Sequence, residues 1–445
     1  MKLPHPLTLL VGCTIIAAAL THVLPAGKFD TRDDPATGRR VAVAGSYHRV
    51  DPHPVTPFET VVAIPDGIIN AASVIAFVFL VGGAFGVVDK TGALRDGIDS
   101  LVRQLGEGGI VAVPIVCLAF AAGGAFENMQ EEIIAMVPAL LLLSQRLGFD
   151  ALTVAEMSVG SAAIGSAFSP INPFQVLIGQ KVAGIPQFSG ATFRTIFLAL
   201  ALLLWIAGTM RHARRVRLTA VRVGPGDDAR PFGPRGKAVL AVVLLTFAIF
   251  VWGVAKLHWD FDQEAALFFL MGIAVGIVGG LGVTGTAEAF VEGFQSMAYA
   301  ALLIGFARSI SAVMEQGFII DTVVNRLASA LSGLPTAVAA LGMMGAHAAI
   351  HVPVPSVSGQ AVLTLPVFAP VADLLHLSRQ VAVLAYQYGA GMCELMTPTN
   401  GALMAVLAAA GVRYDTWIRG AGVMLALVTA LGAAAVVLAV AVGVT

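Results

Sequence analysis

Charge is scarce in this chain of 445 residues, of which only 12% are Asp, Glu, Lys or Arg. Soluble proteins carry about 25% charged residues, so roughly half of the expected charge is missing. Apolar side chains make up 57% of the residues, and the mean hydropathy is +0.86. We therefore expect most of this chain to be surrounded by lipid.

Cysteine is rare as well, and there is no excess of basic charge. The three cysteines, Cys13, Cys117 and Cys393, stand in apolar runs without metal-ligand spacing, which predicts buried packing thiols. The formal net charge of −1 argues against the basic face of a nucleic-acid-binding protein. We expect no nucleic-acid partner and no cofactor other than a coupling ion.

Long apolar runs are abundant, and those of about 18 residues or more are long enough to cross a bilayer. No small-residue cleavage site follows the first run, so we predict a transmembrane helix there and not a signal peptide. Two of the runs exceed one span and are interrupted by polar residues. The runs are residues 7–24, 68–88, 152–183, 195–210, 238–254, 265–283, 294–314, 381–411 and 420–444.

Two further regions, 111–147 and 335–375, each contain a pair of shorter apolar arms around a polar tip. This pattern predicts re-entrant hairpins, which are tolerated only where they line a protein or water-filled cavity. The predicted fold class is an all-α polytopic membrane protein. It has about nine transmembrane helices, two re-entrant hairpins and two broken helices.

The segment 211–237 orients the chain because it holds eight basic residues against Asp227 and Asp228. The positive-inside rule places it in the cytoplasm. Counting spans outward from it puts the N-terminus on the cytoplasmic side of the membrane and residues 27–65 outside. We expect this membrane to be a bacterial inner membrane. Turn residues between short alternating stretches predict a small β-hairpin cap in that outer segment.

An internal repeat divides the chain. Pro138 and Pro366 are separated by 228 positions, as are the motifs Ser-Pro-Ile-Asn at 169–172 and Thr-Pro-Thr-Asn at 397–400. Five spans separate equivalent helices, so the two halves should have opposite orientations. The predicted units are 1–210 (first inverted repeat), 211–260 (cytoplasmic basic loop and linking helix) and 261–445 (second inverted repeat).

The two Pro-Asn breaks are candidate binding sites, because inverted repeats with interrupted helices place substrate and ions at such breaks. Each proline frees a backbone carbonyl one turn earlier. Ser169, Asn172, Thr397, Thr399 and Asn400 supply further oxygen and amide groups, and a sodium ion could bind at Asn172, Thr397 and Asn400. The alternative is a proline kink whose polar residues satisfy the opened backbone.

The first hairpin tip carries Glu127, Asn128, Glu131 and Glu132. A carboxylate at membrane depth costs about 2.5–3.5 kcal/mol on insertion scales, so we predict a function for this cluster. The candidate roles are a proton carrier and a counter-charge for a cationic ligand. Helix capping by Glu131 and Glu132 is the alternative, but it contributes only about 0.3–1 kcal/mol.

The second tip supplies Ser356, Ser358 and Gln360, and Glu394 precedes the second break as another intramembrane carboxylate. His347 and His351 stand four residues apart on one helical face. That spacing allows a two-histidine metal site or proton coupling. Plain packing of both histidines is a further alternative.

Several motifs are similar to those of known carriers, namely residues 79–88 with 90–92, Glu131-Glu132, Ser358-Gly359-Gln360 and Thr397-Pro398-Thr399. Together they resemble the YfcC-type carriers, which group with the anaerobic C4-dicarboxylate carriers of the ion transporter superfamily. The resemblance implies two inverted repeats with paired hairpins, a homodimer and an elevator-type movement. It also implies transport of basic amino acids or C4-dicarboxylates, coupled to sodium, protons or a counter-substrate.

Carboxylates are plentiful and Lys and Arg are scarce at the candidate positions. We therefore predict a secondary transporter, not an enzyme, for a basic or zwitterionic amino acid. A C4-dicarboxylate is the alternative substrate and would need a helix N-terminus or bound cations. Two other classes stay open: a channel, and an intramembrane hydrolase built on His347, His351 and Glu127.

Overall fold

The computed structural model describes residues 5–34, 39–94, 96–97, 106–217, 233–257, 259–331 and 333–444. Almost all regular structure in these residues is α-helical. The helices are α1 (Pro6–Thr21), α2 (Pro57–Asn70), α3 (Ala72–Lys90), α4 (Ala112–Glu127), α5 (Glu131–Leu147), α6 (Ala151–Ala155), α7 (Ser161–Ala167), α8 (Ile178–Ala183), α9 (Ala191–Val216), α10 (Pro234–Leu257), α11 (Phe261–Gly279), α12 (Gly282–Gln316), α13 (Ile320–Leu331), α14 (Thr336–His351), α15 (Val357–Leu374), α16 (Arg379–Cys393), α17 (Gly401–Ala409) and α18 (Tyr414–Val442).

Eight helical segments of the described chain are long and apolar enough to cross a membrane. The predicted all-helical polytopic class is therefore confirmed. The first predicted span, 7–24, forms the shorter helix α1 of 16 residues. The eight segments are Ala72–Lys90, Gly109–Phe126, Ala151–Phe168, Ala191–Val216, Phe261–Gly279, Gly282–Gln316, Val357–Leu374 and Tyr414–Val442.

The predicted β cap between the first two spans is present as two small antiparallel sheets. β1 (Gly27–Lys28) pairs with β4 (His48–Arg49), and β2 (Thr31–Asp34) pairs with β3 (Arg39–Ala42). The amide of Phe29 donates a hydrogen bond to the Asp321 carboxylate at 2.9 Å. The cap is thereby joined to the start of α13, in the second half of the chain.

The span predicted at 68–88 is part of a longer unit of two helices, α2 and α3, which meet at Ala71. The sequence pattern missed α2 because its polar residues shorten the apolar run. A capping box between Thr56 and Glu59 starts this helix, and satisfies backbone donors that would otherwise lack partners. Both helices pack along α12, which extends well beyond the predicted span 294–314.

Both predicted hairpins and both breaks are present in the helix pattern. Residues 128–130 join α4 to α5, and 352–356 join α14 to α15. The first broken helix comprises α6, a π-helical turn (Glu156–Gly160), α7, a second π-helical turn (Pro173–Leu177) and α8. The second comprises α16 and α17, which are separated by residues 394–400.

The two halves make matching contacts. α4 packs on α7 and α14 packs on α16, so the first arm of each hairpin contacts the broken helix of its own half. α5 packs on α17 and α15 packs on α8, so each second arm contacts the broken helix of the other half. These contacts follow the sequence repeat. The opposite orientation of the halves and the re-entrant depth of the hairpins stay predictions.

Helices α1, α2, α3, α10, α11 and α12 form a second group beside the hairpins and broken helices. Aromatic side chains of α10 and α11 pack together there; the rings of Phe247 and Phe268 are 5.5 Å apart. Most of the basic segment 211–237 lies outside the described residues.

Candidate substrate cavity

A cavity of about 800 Å³ lies where the two hairpin tips and the second break meet α10, α11 and α12. Seven of the side chains predicted from the sequence line it, so the fold brings together residues up to 272 positions apart. The cavity volume lies within the range of about 300–1,000 Å³ typical of small-molecule sites. The seven residues are Asn128, Glu131, Glu132, Ser356, Ser358, Glu394 and Asn400.

Gln130 joins the first tip to the second break. Its amide nitrogen donates to the Glu394 carboxylate at 2.6 Å, and its amide oxygen faces Asn400 Nδ2 at 3.3 Å. Its backbone amide donates to Glu132 at 3.0 Å. We did not single out Gln130 from the sequence. Its position between the acidic residues of a predicted re-entrant tip was the only signal.

The polar residues of the first break contact the first hairpin and do not line the cavity. Ser169 donates to the carbonyl of Ala125 at 2.8 Å, and Asn172 donates to the carbonyl of Gly124 at 2.8 Å. The Asn172 side-chain oxygen accepts two backbone bonds from the turn that follows it. The bonds that Asn172 accepts satisfy backbone amides at the break, which is the arrangement of the alternative interpretation of a Pro-Asn break.

At the second break, Thr397 and Thr399 form a buried hydroxyl pair with an oxygen–oxygen distance of 2.8 Å. Asn400 caps α17 by accepting from the amide of Leu403 at 3.0 Å, and it also lines the cavity. The two related breaks therefore have different surroundings. A sodium ion bound by Asn172, Thr397 and Asn400 stays a prediction.

Gln360 lies inside the second hairpin with both histidines. Its amide donates to the carbonyl of His347 at 2.7 Å, and its oxygen is 3.0 Å from Nδ1 of His351. All three side chains are fully buried, and none is among the residues that line the cavity. Within the described chain, no three His, Cys, Asp or Glu side chains are placed to hold a metal ion.

Arg308 on α12 is the one basic residue among the described residues that line the cavity. It is close enough to Glu131 for an electrostatic interaction. Arg308 is not among the candidate site residues predicted from the sequence. Nothing in the apolar pattern of the span indicated that its side chain faces the candidate site.

Acidic side chains outnumber basic ones in the cavity. Among the described side chains, five carboxyl groups and a single guanidinium line it: Glu131, Glu132, Asp260, Glu264 and Glu394 against Arg308. Asp260 also accepts from the amide of Phe261 and so caps α11. Nothing is described of the Glu127 side chain, so its predicted role is untested. Aromatic side chains complete part of the wall: Phe120, Phe126, Phe174, Phe247, Phe250, Trp259 and Phe261.

The family model of the C4-dicarboxylate anaerobic carrier, DcuC, matches residues 3–441 of this chain. The chain belongs to this family. YfcC of Escherichia coli (strain K12), a proposed basic amino acid antiporter, is 33% identical over 98% of this chain and 96% of its own length. A Haemophilus influenzae protein is 29% identical over 94% of this chain and 92% of its own length.

The YdaH transporter of Alcanivorax borkumensis is a solved structure that covers 99% of both chains, at 19% identity and a TM-score of 0.43. The family and the relative YfcC are transporters, so this DcuC-family chain is a multi-pass membrane transporter and not an enzyme. The predicted exclusion of enzymatic activity is confirmed.

Proposed function

We propose that this protein is a secondary active carrier of a basic or zwitterionic amino acid in the bacterial inner membrane. The observation that carries the proposal is the excess of five carboxylates over one guanidinium among the described side chains that line the cavity between the hairpin tips. Carboxylates placed close together at low dielectric repel one another. A cationic ligand relieves this repulsion, whereas an anionic ligand increases it.

Arg308 gives the cavity a second recognition element. Its guanidinium can hold a carboxylate through two parallel hydrogen bonds, while the glutamates that line the cavity can bind an ammonium or guanidinium group. The same space is lined by Phe247, Phe250 and Trp259, and the faces of aromatic rings attract cations by about 0.5–2 kcal/mol. Arginine, ornithine and lysine carry both required charges.

The position of the cavity supports the elevator-type mechanism. The hairpins and broken helices supply one wall, and α10, α11 and α12 supply the other. Movement of the first group along the second would carry a bound solute across the membrane. The homodimer, the cytoplasmic N-terminus and the coupling by antiport or by sodium or protons belong to the same proposal.

A C4-dicarboxylate is the second candidate, favoured by the description of the family model. Three helices, α5, α15 and α17, begin at or beside residues that line the cavity. Helix N-termini attract anions. Such a substrate would require protons or bound cations to neutralise the glutamates.

A thermal-shift screen of the purified protein is expected to separate the two substrates. Arginine or ornithine should raise the melting temperature, because a ligand that binds only the native state stabilises it. Succinate should have no effect with or without sodium. A shift from succinate in sodium, with none from the basic amino acids, would assign the protein to dicarboxylate transport instead.

Arg308→Gln is expected to discriminate between ligands that differ by one carboxylate. Loss of a charge-assisted hydrogen bond costs about 1.5–3 kcal/mol, so the affinity for arginine should fall by at least about tenfold. Agmatine has the same guanidinium but lacks the carboxylate, so its affinity should be unchanged or higher. Equilibrium binding of both ligands measures the difference.

Arg326→Gln is the matched control, because Arg326 is exposed on α13 and is not among the residues that line the cavity. It should change neither affinity. Equal losses for arginine and agmatine in Arg308→Gln would show that Arg308 does not bind the carboxylate. A gain for agmatine would support a direct electrostatic role for Arg308.

A further inference from the structure

Glu156 is a second place where charge is buried within a membrane-spanning segment. It opens the π-helical turn Glu156–Gly160 and its side chain is fully buried, at 0% exposure. Neither carboxylate oxygen has a hydrogen-bond partner among the described residues. Glu156 is also absent from the residues that line the substrate cavity.

The backbone around Glu156 is firmly held although its carboxylate is not. The carbonyl oxygen of Glu156 accepts from the indole of Trp205 at 2.9 Å and from the Ser161 hydroxyl at 3.1 Å. π-helical turns inside α-helices occur frequently at functional sites. The turn is therefore held through its backbone, while both carboxylate oxygens lack a hydrogen-bond partner among the described residues.

The internal repeat shows that the fold does not require this carboxylate. The position 228 residues further along the chain is Leu384, which is fully buried within the regular helix α16. A buried carboxylate without a partner is far more costly than a leucine. A packing role alone gives no reason for a glutamate at this point of the first half.

Four elements pack against the turn, namely α4, α6, α7 and α9. Three titratable groups of these elements interact electrostatically with Glu156. They are Cys117 on α4, His212 on α9 and Asp150, which caps α6. His212 Nε2 lies 3.3 Å from both carboxylate oxygens of Asp150. Arg215 in turn interacts electrostatically with His212.

Asp150 lies outside the membrane-spanning segments. Burial would raise the pKa of its carboxyl, but hydrogen bonds from His212 and Thr153 lower that pKa to about 2. Asp150 is therefore ionised at neutral pH and holds the imidazole of His212 in place. This pair is partly exposed near the end of α9, where the predicted cytoplasmic basic segment begins.

We propose that Glu156 is a proton-binding site outside the substrate cavity, and that His212 and Asp150 connect it to the membrane surface at which α9 ends. A proton neutralises the carboxylate without a cage of oxygen ligands. The neighbouring Ser158 hydroxyl already donates to the Val154 carbonyl at 2.7 Å. The site would make protons the coupling ion, and in this respect it rests on the proposed function.

Carbodiimide labelling tests proton binding independently of transport. Dicyclohexylcarbodiimide adds to a protonated carboxyl in apolar surroundings, and peptide mass spectrometry locates the adduct. Labelling of Glu156 should be strong at acidic pH, decrease as the pH rises and persist in saturating arginine. Absence of labelling at every pH, or labelling that does not change with pH, would overturn the proposal.

Reconstitution in vesicles tests coupling. A gradient of one pH unit should drive accumulation of arginine by up to about tenfold for each proton coupled. Glu156→Gln should abolish this accumulation but retain exchange of arginine for arginine. Glu288→Gln, at an exposed position of α12 that does not line the cavity, should behave like wild type. Proton-driven accumulation in Glu156→Gln equal to that of wild type would refute the role of Glu156.

His212→Gln provides a second variant that does not alter the buried helix turn. It should slow proton-driven accumulation of arginine and leave the exchange of arginine for arginine unchanged. An unchanged accumulation rate would show that His212 and Asp150 do not connect Glu156 to the membrane surface. Failure of wild type to transport arginine at all would contradict the proposed substrate. In that case the labelling of Glu156 would still decide whether it binds a proton.

Discussion

Glu394→Gln is expected to lower the affinity for arginine and its rate of transport at subsaturating concentration by about 30-fold or more. Removing one partner of a buried charge pair costs about 2–5 kcal/mol, and each 1.4 kcal/mol corresponds to a factor of ten. Glu394 lines the cavity and is only 4% exposed. Glutamine has nearly the same shape and can still accept the hydrogen bond from Gln130, so the variant removes mainly the charge.

Uptake of radiolabelled arginine into vesicles measures this effect, and the melting temperature shows whether the variant is folded. Glu288→Gln is again a suitable control, because it removes a carboxylate from a membrane helix outside the cavity. Transport by Glu394→Gln at the wild-type level would exclude Glu394 as a counter-charge for the substrate. Improved binding of succinate in the same variant would support the dicarboxylate alternative.

Gly165→Val is expected to destabilise the folded protein more than any of the substitutions in the cavity. A Cβ atom at residue 165 would overlap the carbonyl oxygen of Ala121, and a Cβ at Gly124 would overlap that of Ala162. These reciprocal contacts allow the backbones of α4 and α7 to approach closely, as small residues do in membrane helix pairs. Overpacking costs about 1–3 kcal/mol and occasionally more. We expect a cost at the upper end of this range, because the added side chain would overlap backbone atoms of Ala121, which cannot rotate away as a side chain can.

The melting temperature in detergent, together with the yield of monodisperse protein, measures this loss. Gly422→Ala is the matched control, because a Cβ there meets no atom within 4 Å. Alanine also loses less conformational freedom than glycine in a helix, by about 0.5–1 kcal/mol. The control should therefore melt at or above the wild-type temperature. If Gly165→Val melted together with the control, the close contact between α4 and α7 would be refuted.

The sequence by itself determined the class of protein and the kinds of helical elements. Scarce charge and repeated apolar runs predict a multi-pass membrane protein, because a helix that crosses the lipid bilayer needs about 20 consecutive, mostly apolar residues. The Ser-Pro-Ile-Asn and Thr-Pro-Thr-Asn motifs predict the two broken helices, because proline removes a backbone donor at its own position. These features depend on local composition, so they could be predicted without knowledge of neighbouring helices.

The tertiary structure decided which of the predicted polar residues share a cavity. Asn172 and Asn400 occupy equivalent positions in the repeat, yet Asn172 contacts the first hairpin and Asn400 lines the cavity. Arg308 and Gln130 enter the candidate site only because α12 and the first hairpin tip meet there. The surroundings of a side chain depend on which helices pack against it, and local sequence does not encode that packing.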